Sequence, residues 1–136
     1  METTINTPER VRRKELAGQA RTLITQIMPV EDADETSLIL GYEGFYLQIA
    51  FSELHPLMVF YLAKSLERPG SRKVSQLINE INLKSVLGSH AVNTEAGCYS
   101  YRTAHWLDTE LTKLRFFEML ERSAYEADWA YSQLIG

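Results

Sequence analysis

The segment "TSLILGYEGFYLQIAFSELHPLMVFYL", residues 36–62, constrains the fold of this chain more than any other. It holds three strand candidates in succession. The first two meet at Gly41-Tyr42-Glu43-Gly44, a hairpin signal of the kind that short, tight turns require. In the second candidate Phe45, Leu47, Ile49 and Phe51 alternate with Tyr46, Gln48, Ala50 and Ser52, so one face is buried. The third, "PLMVFYL" after His55-Pro56, is apolar on both faces. Leu57, Val59 and Tyr61 lie on one side, and Met58, Phe60 and Leu62 on the other. Such a strand is central in its sheet, or is covered on its second side by something else. His55, directly before Pro56, is most simply a turn residue.

Helical signals flank this core. Thr7-Pro8-Glu9 supplies a capping hydroxyl, a proline where its missing N–H does no harm, and an acid in the first turn. Leu16, Ala20, Leu23, Ile24 and Ile27 then form one stripe that ends at Pro29. Arg10, Arg12, Arg13 and Lys14 read as a solvated helix face, because acids interleave with them and aromatics do not. "EDADE", residues 31–35, reads as an acidic turn. It lacks the ligand spacing and terminal Glu of a calcium loop, so no metal is expected there.

After the break "ERPGSRK", Ser71 caps a second helix that runs through Val74, Leu77, Ile78 and Ile81 and stops by Gly88. "SHAVNTEAGCYSYRTAHW" reads as a second hairpin turning at Glu95-Ala96-Gly97. A last helix is expected to start near Asp108 or Thr109, with Phe117, Leu120, Ala124, Ala127, Tyr131 and Leu134 as its buried stripe. Ala124 and Ala127 are small enough to let it lie close on a sheet. The predicted order is α-βββ-α-ββ-α, an α+β domain over residues 1–136 with an antiparallel sheet.

Composition excludes several function classes. At 136 residues and 45% apolar content, the chain can bury roughly 65–70% of its unfolded surface without a disulfide or metal. Its net charge is −4 and its basic residues form no long tract, which argues against nucleic acid as partner. Cys98 is the only cysteine, so an internal disulfide is impossible and a reducing, cytoplasmic setting is expected. The N-terminal stretch "METTINTPERVRRKEL" has no apolar centre, so no signal peptide is expected. No apolar run approaches the ~20 residues of a membrane span.

Motifs for catalysis are missing: no phosphate-cradling glycine loop, no G-x-S-x-G, no H-E-x-x-H, no paired CxxC. His90 and His105 fall on the two arms of the second hairpin, with Cys98 near its tip. A Cys–His nucleophile pair needs contact within ~3 Å, which this arrangement does not offer. Among the acids, only Asp128 borders a buried stripe, and a surface or capping contact accounts for it. No enzyme activity, cofactor or metal is expected.

Asn79 and Asn82 remain. Helical geometry places both on one flank of the Val74–Ile81 stripe, about 60° apart. A partly buried amide without partners costs ~1–3 kcal/mol, so specific bonds are expected. The natural partners are backbone groups of the turn around Leu87-Gly88, which would make the asparagines a polar clamp rather than a ligand site.

Together, "LINEINLKSVLGSHAVNTEAGCYSYR" and the closing "AYEADWAYSQLIG" resemble the bacterial YbjN-like family. The shared features are a helix carrying N-x-x-N, a glycine at the turn, a hairpin ending in Tyr-Arg, and a last helix with Glu-Ala and a late tyrosine. The match is best over residues 74–136; residues 1–73 agree in element order only. The resemblance implies the fold of type III secretion chaperones, with helices on one side of a curved antiparallel sheet, often dimeric. It implies a non-enzymatic protein-binding role, sometimes labelled sensory transduction regulation. Asn79, Asn82, Gly88, Tyr101 and Arg102 carry over as structural signature positions, and no catalytic residue does.

The chain is therefore expected to engage a segment of another protein through apolar surface or a sheet edge. The alternative is a small-ligand sensor with a pocket between sheet and helices. Tyr125 and Trp129 face away from the last helix's stripe, and Tyr46, Tyr99 and Tyr101 are assigned away from the sheet's core. With Met58 and Phe60 on the third strand, these are the candidate partner-binding residues. The bland alternative is that Trp129 folds over the helix end and the tyrosines cap the sheet. An uncovered face of the third strand also predicts a homodimer.

Overall fold

The computed structural model describes residues 7–52 and 55–136, so the first six residues of the N-terminal stretch lie outside it. The elements are α1 (Thr7–Ile27), β1 (Asp32–Ala33), β2 (Ser37–Tyr42), β3 (Phe45–Phe51) and β4 (Leu57–Ser65). They continue with α2 (Arg72–Lys84), β5 (Ser89–Asn93), β6 (Cys98–Trp106) and α3 (Lys113–Ile135). The fold is α+β, with six strands in the order β1-β2-β3-β4-β6-β5, every neighbouring pair antiparallel. The doubly apolar "PLMVFYL" becomes β4, flanked by β3 and β6.

The β2–β3 turn is tight because Glu43 and Gly44 adopt φ of 52° and 82°, the pair of positive values a two-residue hairpin needs. The acidic "EDADE" contains a short strand where only a turn was expected. Asp34 Oδ1 accepts the backbone N–H groups of Thr36 and Ser37 at 2.9 and 2.8 Å, folding the chain back on itself. Asp32 and Ala33 then pair with Ile39 and Leu38 at the sheet edge. The backbone bond from Thr36, first among its causes, holds the Asp34 carboxyl below its ordinary range.

Two helix boundaries differ from expectation. α2 starts where Ser71 accepts the Val74 N–H, as its sequence implies, but ends at Lys84; residues 85–88 form a separate turn. α3 starts at Lys113, capped by Thr112, rather than at Asp108 or Thr109. The delay has a cause: Leu107 and Leu111 are both buried, which holds residues 107–111 against α1. Gln19 completes the docking, its side-chain amide bonding both the N–H and the C=O of Leu111 at 3.0 Å.

Buried residues of all three helices join the sheet in one apolar cluster. Register fixes which face they meet: Leu40, Leu47, Leu62 and Tyr101 lie in line across four strands. On α3 the fully buried ring is Phe116, edge-on to Phe60 at 6.0 Å, rather than the expected Phe117. Burying each such ring removes enough apolar surface from water to stabilise the fold by up to about 3 kcal/mol. Ala124, Ala127 and Ala130 bring the helix close to the sheet, again buried.

Candidate functional site

The turn after α2 is gripped from across the molecule. Glu126 on α3 accepts bonds from Ser85 Oγ at 2.7 Å, Gly88 N at 2.9 Å and Tyr101 Oη at 2.7 Å. Its second oxygen accepts the Val86 N–H at 3.1 Å, and Leu87 N–H reaches both. Burial alone pushes this carboxyl up. The bonds from Ser85, Tyr101, Val86 and Gly88 outweigh it and hold the pKa down to about 2.

Ser85, His90 and Glu126 are three residue types that elsewhere build a nucleophile, but their connectivity differs. Ser85 Oγ lies 2.8 Å from His90 Nε2, 2.7 Å from Glu126 Oε1 and 2.8 Å from the Gly88 carbonyl. The two oxygens only accept, so the single hydroxyl proton goes to one of them, and His90 Nε2 must be the donor to Ser85. His90 Nδ1 then accepts from Tyr99 Oη at 2.7 Å. A histidine that donates to the serine cannot take its proton, and burial further lowers its basicity. Cys98 bonds neither histidine among the described residues; His105 Nε2 lies 2.9 Å from Thr103 Oγ1, and burial, with Arg115 nearby, lowers its pKa to about 4.

Asn82 forms the expected clamp, but two residues beyond the predicted turn. It bonds the N–H and C=O of His90, at 2.8 and 2.9 Å, rather than the Leu87-Gly88 backbone. Asn79 is exposed and enters no hydrogen bond among the described residues, contrary to expectation. Gly88 is dictated by contact: a Cβ there would stand 2.4 Å from the Arg102 carbonyl oxygen. Arg102 itself is exposed, its guanidinium stacked over Tyr61 at 5.7 Å.

Four of the seven candidate partner-binding residues are not surface residues. Met58, Phe60, Tyr99 and Tyr101 are buried under the helices. The error is one of register. Tyr101 pairs with Leu62, which puts both tyrosines on the core face, where His90 and Glu126 satisfy their hydroxyls. Burial first, and Glu126 next, push both phenols well above their ordinary range. Trp129 is half-buried and packs on the core, whereas Tyr125 and Tyr46 are 80% and 49% exposed.

The open surface is the other face of the sheet. No described helix packs there. Across β3, β4, β6 and β5 its outward side chains carry one charge, Arg102, beside exposed Tyr46 and Trp106 and half-buried Tyr61; Val59 also points outward but is buried among its neighbours. Trp106, which sequence reasoning missed, is 61% exposed. Its position opposite Leu57 on the apolar outer row could have flagged it, had the register been known.

Neither of two clefts on the helix side involves the asparagines. One of about 830 Å³ lies between the β4–α2 connection and the end of α3, lined by Leu66, Arg68, Val74 and Tyr131 among others. A smaller one, about 360 Å³, is walled by Tyr42, Phe45 and Tyr125 with Glu43, Glu121 and Asp128. Among the described residues, no group of three potential ligands could hold a metal, and no helix is long and apolar enough to cross a membrane.

No family model and no curated protein matches the chain. Solved structures do share its fold. YbjN from E. coli superposes with a TM-score of 0.64 at 11% identity, covering 83% of this chain and 86% of that one. A chain of the HopA1–SchA chaperone–effector complex gives 0.58 at 11% identity, over 97% and 100%. A chain of the ExoT–SpcS complex from Pseudomonas aeruginosa gives 0.51 at 16% identity, over 91% and 97%. At these identities the likeness is one of fold.

Proposed function

We propose that this chain is a single-domain, non-enzymatic protein-binding module of chaperone type, which holds a segment of another protein against the open face of its sheet. One observation carries the proposal: a broad sheet face with no described helix over it, nearly free of charge and carrying exposed Tyr46 and Trp106. Aromatics with a polar edge bury large areas while keeping a hydrogen-bonding tip, which suits an interface. The fold shared with a chain of a chaperone–effector complex supports the same role. So does the Ser85–His90 connectivity, which leaves the hydroxyl without a base. The free Cys98 supports a cytoplasmic setting.

A second copy of the chain would cover the same face, so a homodimer is part of the proposal, with partner and second copy in competition. The test replaces Tyr46 and Trp106 together by arginine. Capture of the partner from native lysate and self-association in light scattering should both be lost, with melting temperature unchanged. Retained capture by a folded double variant would refute the face as the binding site.

A further inference from the structure

Arg102 stands on the open sheet face and restricts what can be held there. Register places Asp32, Ile39, Gln48, Tyr61, Arg102 and Ser89 in a single row across the six strands. Arg102 Nε donates to Tyr61 Oη at 3.2 Å, and the guanidinium lies over that ring. Among the described residues its remaining nitrogens have no partner, and no carboxylate pairs with it. Asp32, the acid of its own row, is four strands away, about 19 Å at ordinary strand spacing and beyond a Debye length. A guanidinium held against a tyrosine presents its outer edge as a pre-organised fork for a carboxylate. Covering it with a neutral segment would strand a charge out of water, so such a segment is rejected while an acidic one is selected.

The same face also limits the backbone of its occupant. β3, β4 and β6 are interior strands, whose N–H and C=O groups are spent within the sheet. The rows on either side of Arg102 are Ala50–Val59–Ala104 and Ala63–Ser100–Ala91, which offer almost no side-chain hydrogen bonds. A segment lying there must satisfy its own backbone, as a helix does. Low side chains in both rows let a helix approach closely, as the alanines of α3 do on the opposite face.

We infer that the open face takes an amphipathic helix of a partner protein, with one acidic residue in its apolar stripe that pairs with Arg102. This step rests on the open face being the binding site. A second copy of the chain would bring only the same face, with Asp32 on the outer strand as the acid of the row.

The test uses helical peptides of about 18 residues, five turns, that share one leucine stripe and carry Glu, Gln or Lys at its centre. A fourth peptide repeats the Glu version with two central prolines that break the helix. Binding to the full chain is read by calorimetry. The Glu peptide should bind at least about tenfold tighter than each of the other three. In Arg102→Glu the Lys peptide should become the tightest. Arg102→Gln should abolish the preference, and serves if the charge reversal folds poorly. Tyr46→Arg with Trp106→Arg should abolish binding of every peptide. Equal binding of the Glu and Gln peptides, equal binding of the proline peptide, or an unchanged order in Arg102→Glu would overturn the inference. If that binding still needed Tyr46 and Trp106, the open face would stand as the site. Binding that survives the double variant would overturn both. Self-association sensitive to residue 102, with no peptide bound, would overturn the inference and make the face a contact between copies.

Discussion

Gly88 owes its place to crowding, since its φ is not positive and any residue could adopt its backbone. A methyl group there would meet the Arg102 carbonyl at 2.4 Å and the Thr103 and Tyr101 side chains at 2.7 Å. Gly88→Ala should therefore destabilise the fold by about 2–3 kcal/mol, read from urea unfolding. Glu126 is the other residue on which the turn depends. Its folded pKa of about 2 lies below the unfolded value of about 4.3, so its contribution is present above that value. That contribution is lost as pH falls toward 2. Glu126→Gln should cost about 2–3 kcal/mol at neutral pH and flatten the stability profile between about pH 5 and pH 2. Asn82 and Gly88 were legible in sequence, because polar residues beside an apolar stripe and a glycine at a helix end are local signals. Glu126 was not. It lies on the last helix beside the buried stripe, yet nothing in a linear pattern points to partners 38 to 41 residues earlier.

At the scale of elements, periodicity located every helix and five of the six strands, and failed where faces depend on register. Tyr99 and Tyr101 alternate correctly with Ser100 and Arg102, but alternation cannot say which set is inward; pairing with β4 decides that. β1 was missed because two residues carry no period, and the Asp34 turn that positions them looks like any acidic loop. On α3 the pattern was read one residue late at Phe117, since Phe116 and Phe117 are both apolar and only packing on Phe60 separates them. The same helix gives a paired prediction. Trp129→Ala should lower stability by about 1–3 kcal/mol, because its half-buried ring rests on the core. Tyr125→Ala, at an 80% exposed position, should change it by less than about 0.5 kcal/mol. Equal losses in thermal melts would mean that α3 sits differently on the sheet.

For the whole molecule, the order of three strands, helix, hairpin and helix was enough to predict an α+β fold with an antiparallel sheet, while helices on one side of it were implied only by the family resemblance. It could not show that the helices leave the other face bare, because that depends on where three amphipathic stripes converge in space. The Glu126 grip has a further meaning when the molecule is considered in time. The β4–β6 pairing joins residues as far apart as Leu57 and Trp106, so the sheet assembles by slow, non-local encounters. We expect α3 to dock on that surface last, its carboxylate only then reaching Ser85, Val86 and Gly88. A contact made last in folding is absent from the transition state, so its loss falls on the rate of opening. In stopped-flow measurements Glu126→Gln should unfold roughly 30- to 150-fold faster while refolding at the wild-type rate. On that view one side chain acts as a latch on the lifetime of the folded state: the chain closes without it, and stays closed because of it.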